Sequence, residues 1–338
     1  MKFQVKALIT GVNGQDGYYL SSYLLKRGVE ILGVSSKEGR DGPFPVSAID
    51  ITNYSQVSKL VRKFAPDQIY HLAAVHHSSE YQPMQDFKLF KRSYAVNVQS
   101  TLNLLESIRR YLPRAKMFFA SSAQIFGNPS RKPQNEHTRR EPQNIYGMTK
   151  LLATNLCSYY RKSKGVYVSV GILYNHESPL RGLSFVSKRI AVGTVSIMQH
   201  KARELVLGDL SRKVDWGFAG DFVEAMFLIL QLPNADDFVV ATGETHSVKH
   251  FVKLSFDFVD LDWRKYVRTN PSILSQKGSS RLIGDYSRLK SATGWRPRTS
   301  FAELARLMVD FEVRLSKGEL KGEFPPKSSS IARLPYHE

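Results

Sequence analysis

The chain has one cysteine, Cys157, among its 338 residues, which excludes an intramolecular disulfide and points to a reducing compartment. Cys157 falls in an amphipathic helical stretch and is read as a packed core thiol rather than a nucleophile. No apolar run approaches the roughly 20 residues that a membrane helix requires. The opening residues, Met1 to Lys6, carry no apolar stretch of the secretory-signal kind, so a cytoplasmic location is expected. Acidic residues are in the minority: 48 Lys and Arg stand against 30 Asp and Glu, a formal net charge of +18 at pH 7. Such a balance admits nucleic acid, an anionic membrane surface or small anions as partners. The basic clusters, such as Arg109-Arg110, Arg139-Arg140 and Arg161 to Lys164, are scattered, however, and none sits on an aromatic platform. Neither nucleic acid nor membrane is expected as a partner. His76 and His77 have no further ligand-type residues beside them, so no metal is expected either.

What is present is alternation. Val5 to Ile9, Val29 to Val34 and Gln68 to Leu72 are short β-type runs, separated by helical patterns over Tyr18 to Arg27 and near Val57 to Phe64. Helical Val98 to Arg110, strand-like Met117 to Ala120, helical Tyr146 to Tyr160 and strand-like Tyr167 to Leu173 continue the series. Alternation of this kind predicts parallel βαβ units, an α/β chain with a Rossmann-type doubly wound parallel sheet. After about Asn175 the pattern loosens, as expected of a smaller C-terminal substrate lobe rather than more sheet. The expected division is a dinucleotide-binding domain over 1–175, a lobe over 176–323 partly interleaved with it, and a tail over 324–338.

Directly after the first strand, Thr10-Gly11-Val12-Asn13-Gly14-Gln15-Asp16-Gly17 places three glycines at a GxxGxxG spacing that opens onto a helix. Gly11 permits the tight turn, Gly14 lets the backbone approach a pyrophosphate, and Gly17 lets the helix pack against the strand with its N-terminal N–H groups toward the anion. NAD enzymes often carry an acid at the end of the second strand, whereas this chain has Val34-Ser35-Ser36-Lys37 there. Ser36, Lys37 and Arg40 suit a 2′-phosphate, which favours NADP and leaves NAD open. Asp50, after a third β-type segment, is placed to accept from an adenine amino group or to cap a turn.

Tyr146-Gly147-Met148-Thr149-Lys150 sets a phenol and an ammonium at i and i+4 on one helix face. A nearby ammonium and a positive nicotinamide ring favour phenolate and lower the tyrosine toward working pH, so that it takes a proton from an alcohol while hydride leaves. Ser122, at the end of Phe118-Phe119-Ala120-Ser121-Ser122, lies upstream in the order needed to bond the same oxygen.

With these residues the chain resembles the extended short-chain dehydrogenases, and within them the GDP-mannose 4,6-dehydratase family. The likeness rests on Ala7 to Gly11, Asp16-Gly17, Ile69 to Ala74, Tyr146 to Lys150, Gly171 to Pro179 with its Asn-His-Glu-Ser-Pro segment, Asp215-Trp216-Gly217, and Gly294 to Pro297. The resemblance implies oxidation at C4 of a nucleoside-diphosphate (NDP) hexose, loss of water across C5 and C6, and return of hydride to C6. It implies Ser122 and Tyr146 at O4, Lys150 supporting Tyr146 and the cofactor ribose, and Asn175 and Arg189 facing the diphosphate. The cofactor set is then Gly11, Asn13, Gly14, Gln15, Asp16, Gly17, Ser36, Lys37, Asp50, Ile51, Leu72, Ala73, Ala74, Tyr146, Lys150 and His176. The substrate set is Ser78, Glu80, Asn175, Arg189, Arg212 and Lys213.

The family's base for the C5 proton is a glutamate two positions after Ser122, and this chain has Gln124 there. An amide has no carboxylate to receive the proton, so the elimination step is in question and Gln124 becomes a site residue of a different kind. Glu80 and Glu177 are the carboxylates that would have to stand in. Removal and return of hydride at C4 alone, as in 4-epimerases, or a 4-keto reduction fits the same site; a non-catalytic NDP-sugar or NADP(H) binder is the alternative of another class. Val214 replaces a family arginine, so the base of the nucleotide is not fixed as guanine, and Arg212 and Lys213 are candidate phosphate contacts. A homodimer or homotetramer is expected.

Overall fold

The structure is a computed structural model that describes residues 4–36, 43–75, 86–130, 133–270 and 282–320. Lys37, Arg40, His76, His77, Ser78 and Glu80 lie outside the described residues. Seven strands form the central sheet: β1 (Lys6–Thr10), β2 (Glu30–Ser35), β3 (Val46–Ala48), β4 (Gln68–His71), β5 (Lys116–Ser122), β6 (Val168–Leu173) and β11 (Asp237–Val240). Their order is β11-β6-β5-β4-β1-β2-β3 and every pairing is parallel. The order reverses at β1, which places a crevice at the carboxyl ends of β1 and β4.

The helices that cover the sheet are α1 (Gln15–Leu25), α2 (Tyr54–Phe64), α3 (Asp86–Ser93), α4 (Ser100–Tyr111), α5 (Ile145–Lys164) and α7 (Ala219–Gln231). Buried on both faces, the strands read as continuous apolar runs, and Ile69, Tyr70, Met117, Phe118, Phe119, Val168, Val170 and Ile172 are all fully enclosed. Four short strands, β7 (Asn175–Glu177), β8 (Leu205–Leu207), β9 (Lys213–Val214) and β10 (Trp216–Phe218), lie outside the sheet with β12 (His246–Ser247) and β13 (Val267–Thr269), and they pair β7 with β10, β8 with β13 and β9 with β12. With α6 (Val186–Met198), α8 (Val248–Asp257), α9 (Trp263–Tyr266), α10 (Ser287–Thr293) and α11 (Phe301–Ser316), they make up the second half of the chain. A separate core gathers there around Ile190, Trp216, Phe251, Phe256, Leu304 and Met308.

Two departures from the sequence reading have physical causes. The segment after Asn175 does return to the sheet: Phe238-Val239-Val240 is a buried apolar run that pairs with β6 as a seventh strand, while α7 packs on the same layer. The stretch read as one helix from Val98 begins instead as a π turn over Tyr94–Gln99 before α4. That turn carries the buried Asn97, whose Oδ1 accepts from the Val75 N–H at 2.9 Å and whose Nδ2 donates to Thr149 Oγ1 at 3.0 Å. A wider turn of this sort lets one side chain tie the segment after β4 to α5. Cys157 is buried in the core, and burial pushes its thiol well above the usual range, in line with a packed rather than a reactive residue.

His71 is fully enclosed between Thr10 Oγ1, at 2.7 Å from Nδ1, and Ser100 Oγ, at 2.9 Å from Nε2. Burial, with help from the Lys150 charge, lowers it to about 3 from an ordinary 6.5, so the folded protein holds it neutral. Unfolding frees it to bind a proton below pH 6.5, so stability contributed by this residue is lost as pH falls through that value. The loss is up to about 1.4 kcal/mol per pH unit between 6.5 and 3. Urea midpoints measured at pH 7 and pH 5 should therefore separate, and a His71→Gln variant should narrow the gap.

Candidate active site

The cofactor loop is built as its glycines require. Gly11 has φ of +73°, and a Cβ there would stand 2.8 Å from the Ala73 backbone nitrogen, where β4's continuation crosses the turn. A Cβ on Gly17 would lie 2.5 Å from the Val12 backbone, so the helix can approach the strand only without one. Gly14, the N-cap of α1, receives no side-chain cap, which leaves the helix's first N–H groups for an anion. These features fit a dinucleotide pyrophosphate. Gly17→Ala is expected to cost about 2 kcal/mol or more in unfolding free energy, because backbone atoms must give way. Gly14→Ala, whose Cβ meets only Gly11 O at 3.2 Å, should cost less than about 1 kcal/mol yet weaken nucleotide binding. Urea unfolding and nucleotide titration of the two variants check the contrast.

The loop's polar residues reach across to β7. Gln15 Nε2 donates to the His176 carbonyl at 3.0 Å, Ser178 Oγ donates to Gln15 Oε1 at 2.7 Å, and His176 Nε2 lies 2.9 Å from Asp16 Oδ2. Burial opposes charge on both members of the last pair, but mutual attraction wins: Asp16 falls to about 2 and His176 rises. Asn13 Nδ2 donates to Ser35 Oγ at 2.8 Å, and Ser36 stands exposed at the end of β2. Asp50 Oδ1 accepts from the Thr52 N–H at 2.9 Å and the Thr52 hydroxyl at 2.7 Å, so this oxygen is a turn cap, and the Ile51 carbonyl accepts from Asn103. Leu72, Ala73 and Ala74 follow β4 beside the loop, with the Leu72 N–H donating to Thr10 O at 3.2 Å.

Ser122 ends β5 and Tyr146 and Lys150 begin α5, which Asn144 caps by accepting from the Gly147 N–H at 2.8 Å. The Gln124 backbone N–H donates to Ser122 Oγ at 3.2 Å, and Ser122 is hydrogen-bonded to Tyr146. Lys150 is fully buried, with Nζ donating to the Ala120 carbonyl at 2.7 Å and lying 5.8 Å from the Tyr146 ring centroid. Burial lowers Lys150 to about 8. The sequence reading had the ammonium and a positive nicotinamide ring together lower the tyrosine; in the protein alone burial dominates and Tyr146 is pushed up to about 12. The charge that opposes burial most is Arg181, and the Ser122 hydrogen bond adds to it. Arg181 was not foreseen. Its Nε lies 3.1 Å from Glu177 Oε2 and its guanidinium stacks over the Phe185 ring at 3.6 Å.

A cleft opens beside Ser122, and Gln124, Asn175, Arg212 and Lys213 line it with Asn144, Tyr174 and Asp215. Arg189, read as a diphosphate contact, stands on α6 and is not part of that lining. Glu177 is buried and is not part of that lining, and its Oε2 is engaged by Ser187 Oγ at 2.6 Å and by Arg181. Among the described residues, Asp215 is the one carboxylate in the lining. Its Oδ1 accepts from the Thr242 N–H and hydroxyl at 2.9 and 2.6 Å, its Oδ2 from the Gly243 and Gly284 N–H groups at 3.2 and 3.1 Å. Burial raises it, with those four hydrogen bonds working against the shift. Among the described residues no group of three or more His, Cys, Asp or Glu could hold a metal ion, and no helix is long and apolar enough to cross a membrane.

GDP-mannose 4,6 dehydratase 1 of Arabidopsis thaliana is 35% identical over 336 residues, covering 93% of this chain and 91% of that one. Among solved structures, RMD from Pseudomonas aeruginosa complexed with NADPH superposes with a TM-score of 0.78 at 22% identity, over 92% of this chain and 100% of that chain. UDP-glucose 4-epimerase from Thermus thermophilus in complex with NAD gives the same TM-score at 24% identity, over 91% and 99%. These two structures show the shared fold. The sequence profile of GDP-mannose 4,6 dehydratase matches residues 8–308, nearly the whole described chain, and with the relative above it shows that the chain belongs to the GDP-mannose 4,6 dehydratase family.

Proposed function

We propose that this chain, an NAD(P)-dependent nucleotide-sugar-modifying enzyme by its family, oxidises C4 of an NDP-hexose at Tyr146 and resolves the 4-keto intermediate without eliminating water. The observation that carries the reading is the cleft itself: Ser122, the hydrogen-bond partner of Tyr146, lines it, and among the described residues no carboxylate in its lining is free to take a proton from carbon. A nicotinamide dinucleotide on the glycine loop supplies the hydride acceptor and, when oxidised, a positive charge that favours phenolate. Tyr146 receives the O4 proton, Ser122 donates to the phenol oxygen and holds it in line, and Lys150 packs beneath the ring. The donors run in one direction, from the Gln124 N–H to Ser122 and from Ser122 to Tyr146, which stabilises the phenolate as it forms.

Arg212 and Lys213 supply cationic contacts for the diphosphate, and Asn175 a polar one. NADP is favoured over NAD because, among the described residues, the end of β2 presents Ser35 and Ser36 rather than an acid that would repel a 2′-phosphate. A 4-epimerase and a 4-keto reductase both satisfy the site. Dehydration, the activity named in the relatives, would need a carboxylate from outside the described residues, where Glu80 lies. Incubation with UDP-, GDP- and dTDP-hexoses, read by mass, separates the outcomes. A C4 epimer, resolved by NMR at unchanged mass, or, with a 4-keto NDP-hexose supplied, a product reduced at the expense of NADPH, supports the reading; a product lighter by one water contradicts it.

The assembly we propose is a homodimer through α3 and α5, which pack side by side. Met148, Leu152 and Tyr159 share one exposed face of α5, next to exposed Phe87, Phe90 and Tyr94. Leu152→Lys is expected to yield monomers in sedimentation at micromolar protein, and a dimer undisturbed by that change would contradict this interface.

A further inference from the structure

The side chain of Gln124 has a polarity that its neighbours dictate. The Gly147 backbone N–H can only donate, and it donates to Asn144 Oδ1 at 2.8 Å. The oxygen of Asn144 is thereby committed to capping α5, and its Nδ2 turns to Gln124 Oε1 at 3.0 Å. The reversed amide would set two NH₂ groups against each other with no acceptor between them. Gln124 Oε1 is therefore occupied, and what the carboxamide has left is Nε2, which has no protein acceptor among the described residues. Gln124 is partly buried and lines the cleft next to Ser122. The wall beside the reactive serine is thus a hydrogen-bond donor, where a carboxylate would have been an acceptor.

We infer that Gln124 is a specificity-determining residue whose Nε2 donates to an oxygen substituent on the hexose next to the carbon held at Ser122, and that Asn144 is the positioning residue that fixes this polarity. The inference rests on the proposed reading of the cleft as an NDP-hexose site. A primary amide holds such an oxygen without accepting a proton from carbon, so the sugars favoured are those that keep their ring and C6 oxygens through turnover. A polar partner of this kind discriminates more sharply than an apolar wall, because an unmatched donor in the cleft is left without an acceptor.

The test uses the full chain and calorimetric titration with UDP-, GDP- and dTDP-hexoses, each against the matching nucleoside diphosphate. Asn144→Asp keeps a strong helix cap but offers Gln124 an acceptor, so the carboxamide turns over and presents Oε1 to the cleft. Asn144→Asp and Gln124→Leu are each expected to weaken NDP-hexose binding about three- to tenfold, with affinity for the nucleoside diphosphate unchanged. The double variant should bind no more weakly than Gln124→Leu alone, since Asn144 acts through Gln124. Unchanged hexose affinity in both single variants, or additive losses in the double variant, overturns the inference while leaving C4 oxidation standing. If Asn144→Asp does not fold, Gln124→Leu decides by itself: hexose affinity equal to that of the unaltered protein overturns it. An unaltered protein that binds none of the NDP-hexoses overturns both this inference and the proposed function.

Discussion

Replacing Tyr146 by phenylalanine is expected to lower kcat on an NDP-hexose by about 10²- to 10⁴-fold, the range for removing a positioned acid–base group. The phenol oxygen is the only part of the residue lost, and the helix it stands on is held by elements that the change does not touch. Asn144 still caps α5, Lys150 still donates to Ala120, and Thr149 still accepts from Asn97. The unfolding midpoint should move little, and KM should change much less than kcat. The profile of kcat against pH adds a second readout. Burial pushes Tyr146 up to about 12 in the free protein, and Lys150 down to about 8. Activity that needs phenolate should therefore rise with pH from neutrality in the unaltered protein, and the residual activity of Tyr146→Phe should lack that rise. A variant that keeps full kcat would remove the phenol from the chemistry.

Asp215→Ala is expected to cost about 3 to 5 kcal/mol of folding stability, because it leaves three backbone N–H groups and the Thr242 hydroxyl without their acceptor. These donors belong to two separate loops, at Thr242-Gly243 and at Gly284, which the carboxylate draws together at the floor of the cleft. Local repacking and water can recover part of the loss, so the sum of four full penalties is not reached. Stability should fall and sugar-nucleotide affinity should fall with it, since Asp215 lies next to Val214, Lys213 and Arg212 in the lining. Urea unfolding monitored by tryptophan fluorescence measures the first effect; a change under about 1 kcal/mol would contradict the structural role.

Much of this was legible in the chain because its signals are periodic or local. Buried parallel strands show as apolar runs, and the loop from Gly11 to Gly17 shows as a spacing whose reasons survive in the structure, with Gly11 at positive φ and Gly17 against Val12. Ser122, Gln124, Asn175, Arg212 and Lys213 gather on one cleft although they come from distant parts of the chain. Asn144 was within reach too, as an Asn directly before a helix. Three features were not readable. The return of β11 to the sheet depends on a pairing across more than sixty residues with β6. The direction of the Lys150 ammonium depends on the Ala120 carbonyl. The engagement of Glu177 Oε2 by Arg181 and Ser187 depends on tertiary contacts that the sequence does not show.

The most direct measurement is product analysis at C4. The purified protein is incubated with UDP-, GDP- and dTDP-hexoses and with NADP⁺ or NADPH, and the sugar of each recovered nucleotide is examined by mass and NMR. The account predicts that at least one hexose emerges altered at C4, as a ketone or an inverted alcohol, with every other oxygen retained, and that Tyr146→Phe slows the change about 10²- to 10⁴-fold. Recovery of every hexose unaltered at C4 would contradict it.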